Sequence, residues 1–133
     1  MSALSLLLLY CLFRLKQFVC DFALQTNWAW VVENKGKSGI AGWVPTLSHA
    51  AVHGVGTLIL FLIFLPSFWW MGLVDVIVHA LIDRTKAVLT ERQGWTMRDA
   101  AFWNAFALDQ EAHNFTHLAY IVLIVVMRGG ITF

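Results

Sequence analysis

Hydrophobic residues fall into four long runs along this chain, separated by short stretches where Lys, Gly, Pro or acidic residues gather. The runs cover about residues 3–30, 46–65, 67–89 and 107–127. A helix rises about 1.5 Å per residue, so each run crosses, or nearly crosses, a hydrocarbon layer of about 30 Å. Backbone polar groups in lipid must be satisfied internally, which makes helices the natural reading of all four. Pro66-Ser67 leaves so short a connection between the second and third runs that they must pack antiparallel. Lys35-Gly36-Lys37-Ser38-Gly39 marks one polar loop and Glu91 to Asp99 another. Trp95 to Phe106 reads as a short helix lying at the interface. The expected fold is therefore all-α and a single domain: an antiparallel, polytopic four-helix transmembrane bundle, with a short interfacial helix before the last transmembrane helix.

Polar residues inside the runs recur at helical spacing. The first run offers Asp21 and Gln25, the second His49 and His53, the third Asp75, His79 and Asp83. The fourth offers Asp109, His113 and His117, with Gln110 three residues before His113. Spacings of three and four put side chains on one helical face. Facing such groups toward hydrocarbon costs several kcal/mol (~3 each), so these faces should point into the bundle. In an alternating four-helix path they all fall toward the same end: late in the first and third helices, early in the second and fourth. Four polar faces at one level suggest one site.

Composition fits lipid rather than water. Hydrophobic residues make up 59% of the 133 residues and charged ones 13%, with mean hydropathy +0.70. Soluble domains carry roughly 25% charged residues. A formal net charge of +1, with no basic patch interleaved with aromatics, gives no reason to expect a nucleic-acid partner. The basic residues are unevenly placed. Lys35, Lys37, Arg84, Lys86, Arg92 and Arg98 flank the two loops at one end, which predicts that end to be cytoplasmic and both termini outside. Arg14 and Lys16 sit within the first run, where Arg14 shares a face with Gln17 and Asp21 and can balance carboxylate charge or reach for the interface. Trp28, Trp30, Trp43 and Trp95 lie near segment ends, with Trp69 and Trp70 toward the other face. The N-terminus lacks a basic lead-in and a small-x-small cleavage site, so it is read as part of the mature chain. Cys11 and Cys20 on one helix lie about 13 Å apart and cannot pair. They read as small buried hydrophobes.

Imidazole and carboxylate from facing helices are the materials of Zn, Mn, Fe or Ni sites. The candidate ligands of a divalent metal ion are His49, His53, His79, Asp83, Asp109 and His113. Asp21, Gln25, Asp75, Gln110 and His117 are read as supporting residues, Asp75 as a group that orients His79. A bound cation would let Asp83 and Asp109 stay charged at membrane depth. Neither H-x-x-x-H pair carries the Glu of a zincin motif. The plainer alternative is that these groups satisfy one another and tie helices together. Glu111 and Lys86 are further candidates for proton transfer, though both also suit a solvated interface. Gly54 and Gly56 beside His53 suit close helix packing.

Several stretches resemble an uncharacterised family of small bacterial and phage membrane proteins, catalogued as domain of unknown function 3307. They are Asp21-Phe22-Ala23-Leu24-Gln25-Thr26, Asn34-Lys35, His49-Ala50-Ala51-Val52-His53-Gly54, His79-Ala80-Leu81-Ile82-Asp83 with Lys86, and Asp109-Gln110-Glu111-Ala112-His113. The resemblance covers nearly the whole chain in order. Relatives carry a histidine one turn before the D-F-x-x-Q aspartate, where this chain has Gln17. The resemblance implies a multi-pass protein of the inner (cytoplasmic) membrane and assigns no activity. A looser similarity is to families labelled membrane-bound metal-dependent hydrolases, an analogy that does not by itself give a reaction. Three functions stay in view: a membrane metalloprotein, with hydrolysis as its candidate reaction; a non-catalytic subunit of a homo-oligomer or larger membrane assembly; and a haem or chlorophyll carrier, which the neighbouring carboxylates disfavour.

Overall fold

A computed structural model describes residues 1–24 and 29–129. The chain is all-α. Helix α1 (Ala3–Phe18) runs into a π-helical turn (Val19–Leu24), and a short α2 (Ala29–Asn34) follows. Helix α3 (Ile40–Phe64) and α4 (Met71–Gln93) are joined through a 3₁₀ turn (Pro66–Phe68), and α5 (Ala100–Met127) closes the order. Gln25 and Trp28, singled out from the sequence, lie outside the described residues.

Local chemistry sets the boundaries. Ser2 caps α1, its Oγ accepting from Ser5 N at 3.2 Å. Pro66 ends α3. Gly94, at φ 66°, ends α4 in a left-handed turn, with Trp95 N donating to Thr90 O.

Three boundaries differ from the sequence expectation, each for a local reason. The first run is not one helix to residue 30, because the π-helical turn interrupts it. Helix α3 begins at Ile40 rather than near 46: Gly42 N and Trp43 N donate to Gly39 O, so the helix is under way before Pro45 removes a donor. The separate interfacial helix over 95–106 is replaced by a turn and the first two turns of α5, since no Gly or Pro interrupts the sequence from Ala100 to Met127.

Helices α1, α3, α4 and α5 form a closed ring of neighbours, α1 against α3, α3 against α4, α4 against α5, and α5 against α1. One end is a dry core: Leu6, Leu9 and Phe13 of α1 meet Phe61, Leu65, Phe68 and Met71, with Tyr120 and Ile124 of α5. That cluster joins the start of α1 to the end of α3, the start of α4 and the end of α5, so the helices alternate in direction. The α3–α4 crossing is tight because both chains carry glycine there. A Cβ on Gly72 would lie 3.0 Å from Gly54 O, and one on Gly54 would lie 2.8 Å from Gly72 O. Gly56 does something else: a Cβ there would meet the Lys16 stem at 2.9 Å.

Two helical stretches, Ala3–Leu24 and Ile40–Phe64, are long and apolar enough to cross a membrane. Helices α4 and α5 do not meet that measure, where the sequence reading expected four spans. Much of the polarity that lowers their average hydropathy faces inward: Asp75, His79, Asp83, Asp109, His113 and His117 are all buried, while Glu91, Arg92 and Glu111 are exposed. Their outer faces carry Leu73, Ile77, Leu81, Leu108, Phe115 and Val122, all exposed.

Candidate metal centre

The end of the bundle opposite the dry core is polar. Asp21 enters from the π-helical turn, whose extra residue per turn shifts the register of α1 as it reaches the site. His49 and His53 come from α3, His79 and Asp83 from α4, and Asp109, Gln110 and His113 from α5. The four histidines among these are essentially excluded from solvent, at 0–2% exposure.

Asp21 is the hub on one side. His49 Nε2 is 3.0 Å from its Oδ1, and His53 Nε2 is also 3.0 Å from that oxygen. Its Oδ2 accepts from Gln17 Nε2 at 2.6 Å and Gln110 Nε2 at 3.0 Å, tying α1 to α5. Gln17, one turn before the aspartate, therefore orients this carboxylate. Asp83 is the hub on the other side. Its Oδ1 is 3.2 Å from His113 Nε2 and 3.7 Å from His79 Nε2, while its Oδ2 lies 3.6 Å from His49 Nε2. Lys35 Nζ donates to Oδ2 at 2.5 Å. Asp109 Oδ1 is 3.7 Å from His113 Nε2.

The imidazoles stack on one another: His53 on His79 with centroids 3.6 Å apart, and His79 on His113 at 4.0 Å. Two sets of donor atoms each fit within 4.8 Å: Asp21, His49, His53 and His79; and His79, Asp83 and His113. Mutual hydrogen bonding does not account for all of them. His53 Nδ1, His79 Nε2 and Asp109 Oδ1 are buried without a hydrogen-bond partner. An unsatisfied buried polar group costs about 1–3 kcal/mol, so several in one place call for a missing ligand. Rings packed this closely leave a macrocycle no slot between His53, His79 and His113, against the tetrapyrrole alternative.

The centre is not sealed. A cleft of about 230 Å³ reaches it, lined by Asp21, Asp83, Asp109 and Gln110. Lys35 and Lys86 face the same cleft, with Phe22 and Phe106 as apolar walls, and Lys86 Nζ lies 5.4 Å over the Phe106 ring. Glu111 lies apart from it, accepting from Asn114 on the exposed face of α5.

Asp75 and His117 belong to a separate layer, between the centre and the dry core. Asp75 does not orient His79. It pairs with Lys16 Nζ at 2.8 Å and accepts from Thr57 Oγ1 at 2.6 Å and Tyr120 OH at 3.0 Å. Lys16 also donates to Thr57 Oγ1 at 2.9 Å. His117 stacks on Phe13 with centroids 4.9 Å apart, and its Nδ1 has no hydrogen-bond partner. Lys16, rather than Arg14, is thus the cation of α1 that balances a buried carboxylate. Sequence reasoning missed this pair, although a lysine and an aspartate that both fall in apolar runs are a signal for mutual pairing. It also missed Lys35, which the Asn34-Lys35 motif had placed only as a loop residue.

The comparisons with known proteins bear on this constellation. Residues 7–132 match a family described as "Protein of unknown function (DUF3307)". The chain belongs to the DUF3307 family. Every donor of the DUF3307 centre falls inside the matched span. No curated protein and no solved structure gives a significant match to the chain.

Proposed function

We propose that this DUF3307 protein is an integral membrane metalloprotein of four spans, with a divalent-metal centre close to the cytoplasmic face, and that the centre hydrolyses a substrate reached through the Lys86-lined cleft. The observation that carries the reading is the gathering of buried imidazoles around the Asp21 and Asp83 carboxylates, with His79 Nε2 and Asp109 Oδ1 left there without a hydrogen-bond partner. Nitrogen and oxygen donors without thiolate suit Zn, Mn, Fe or Ni. Four spans are supported by the inverted distribution of polarity, with ionisable groups inside and large aliphatic side chains outside on α4 and α5 as on α1 and α3.

A divalent ion bound here supplies Lewis acidity and lowers the pKa of water, the two requirements of metal-assisted hydrolysis. The protein's own residues supply the rest. Gln17 and Gln110 fix the Asp21 carboxylate. Lys86 offers a cation to an anionic part of a substrate, and Phe22 and Phe106 offer apolar contact. The apolar walls and the membrane location favour a lipid-like substrate.

Metal analysis of the detergent-purified protein tests the reading. Stoichiometric divalent metal is expected in the intact chain, with at least half of it lost on His49→Ala and on Asp109→Ala. An intact, folded protein that retains no metal after loading sinks the proposal. One observation favours a second reading, a non-catalytic subunit: Gln17, Gln110 and Lys35 already cross-link helices through Asp21 and Asp83. That reading expects alanine substitutions in the cluster to lower stability alone, and the chain to co-purify with a fixed partner.

A further inference from the structure

The donor set is too large for one ion, and its layout divides it. Asp21, His49, His53, His79, Asp83, Asp109 and His113 supply seven side chains, whereas a transition-metal site with N and O ligands takes four to six (roughly, counting water). The donors do not surround one point. One set gathers at Asp21 Oδ1, 3.0 Å from both His49 and His53 Nε2. The other gathers at Asp83 Oδ1, 3.2 Å from His113 Nε2, with Asp109 Oδ1 3.7 Å from the same nitrogen.

An imidazole nitrogen has one lone pair and serves one ion, but a carboxylate has two oxygens and can serve two. Asp83 is the residue whose oxygens divide in this way: Oδ1 faces His113 and His79, and Oδ2 faces His49 at 3.6 Å. Oδ2 also accepts from the Lys35 ammonium at 2.5 Å, so an ion bound at that oxygen takes the place of this ammonium. Three carboxylates, Asp21, Asp83 and Asp109, oppose the charge of two divalent ions far better than that of two ions held by imidazole alone.

We infer that the centre is binuclear, with Asp83 bridging one ion held by Asp21, His49 and His53 and a second held by Asp109 and His113, and with His79 completing one of the two. This rests on the metal reading above and deepens it. In two-metal sites the ions sit about 3.5–4 Å apart and clamp the attacking and leaving oxygens of a displacement, the arrangement used on phosphoryl and acyl substrates.

The test uses the full chain in detergent, stripped with a chelator, reloaded with Mn²⁺ alone and freed of excess ion by gel filtration. Two Mn²⁺ per chain are expected, with an electron paramagnetic resonance spectrum of an exchange-coupled pair. His53→Ala and Asp109→Asn are each expected to bring the content to one Mn²⁺ and to restore the six-line signal of an isolated ion. The wild-type spectrum decides the matter even where a variant fails to fold. One Mn²⁺ per chain with an isolated-ion spectrum overturns the binuclear inference and leaves the metalloprotein standing. Two ions without exchange coupling overturn the Asp83 bridge. No bound Mn²⁺, Zn²⁺, Fe²⁺ or Ni²⁺ under the same protocol overturns the metalloprotein itself.

Discussion

The ammonium of Lys16 and the carboxylate of Asp75 are both almost wholly buried, in the layer between the metal-ligand donors and the apolar end. Each is tolerable only because of the other, since a lone charge removed from water is far costlier than a pair with its hydrogen bonds filled. Thr57 and Tyr120 fill those bonds, and the absence of a side chain at Gly56 leaves room for the lysine stem. Lys16→Met leaves Asp75 uncompensated and is expected to cost about 3–5 kcal/mol. Lys16→Met combined with Asp75→Asn should recover at least half of that loss, because the amide oxygen still accepts from one of the two hydroxyls, Thr57 or Tyr120, and the amide NH2 donates to the oxygen of the other. Unfolding midpoints of the two variants in one detergent check this; equal losses in both would show that the ion pair is not what holds the layer. The same layer marks the limit of reading single residues from sequence. His49, His53, His79, Asp83, Asp109 and His113 could be grouped because helical spacing and depth placed them at one level. Asp75 sits one turn from His79 in sequence, but its partner was decided by which helix lay opposite, and spacing along one helix carries no such information.

Between elements, the crossing of α3 and α4 depends on absent side chains. With Gly54 O and Gly72 O each about 3 Å from where the other residue's Cβ would stand, and Val76 Cγ2 2.2 Å from a Cβ on Gly54, a methyl group there meets both backbone and a β-branched side chain. Gly54→Ala gains helix propensity of roughly 1 kcal/mol but forces the helices apart, an overpacking cost of about 1–3 kcal/mol. A net loss of stability is expected, together with weaker metal retention, since His49 and His53 share α3 while His79 and Asp83 share α4. A rise in the unfolding midpoint would refute the close-packing account. At the head of α5 a different control operates. Asp99 accepts from Thr96 N at 2.7 Å and Thr96 Oγ1 at 2.9 Å, which holds its carboxyl below the usual range. Because the folded pKa is depressed, this contribution is present above the ordinary aspartate pKa and fades as pH falls through the lower folded value. Acidification should therefore loosen the 95–99 turn, which proteolysis at that turn would register. The existence and number of long helices were legible from hydrophobic runs. Their ends were less so, because Pro45 looked like a boundary but lies inside a helix started by Gly39, and the π-helical turn at Val19–Leu24 has no sequence mark of its own.

For the molecule as a whole, the proposed four-span reading rests on how polarity is divided between the inside of the bundle and its outer faces. Average hydropathy picks out only Ala3–Leu24 and Ile40–Phe64 as membrane-crossing, because it sums over each helix and ignores direction. Resolved by face, α4 and α5 present Leu73, Ile77, Phe115 and Val122 outward, each at least 61% exposed, and keep Asp75, His79, Asp83, Asp109, His113 and His117 inward. Water would have to cover that apolar surface, whereas lipid covers it without loss. The basic residues then choose the orientation. Arg84 donates to the carbonyls of Lys35 and Lys37, which clamps the α2–α3 loop to α4. Gly36, Lys37, Arg84 and Arg92 consequently share one end, which the proposed four-span reading places on the cytoplasmic side. The two sides can be told apart chemically. In a background with Cys11→Ser and Cys20→Ala, single cysteines at the exposed positions Ser38, Ser67 and Gln93 report accessibility to a membrane-impermeant maleimide. In intact cells Ser67→Cys should label, while Ser38→Cys and Gln93→Cys should label only after permeabilisation. Labelling of Ser38→Cys and Ser67→Cys from the same side would mean that α3 does not cross. Labelling of Gln93→Cys together with Ser67→Cys would mean the same for α4. Either result would leave the donor cluster intact but move it from the cytoplasmic face of a spanning bundle to the interior of a protein lying on one side of the membrane.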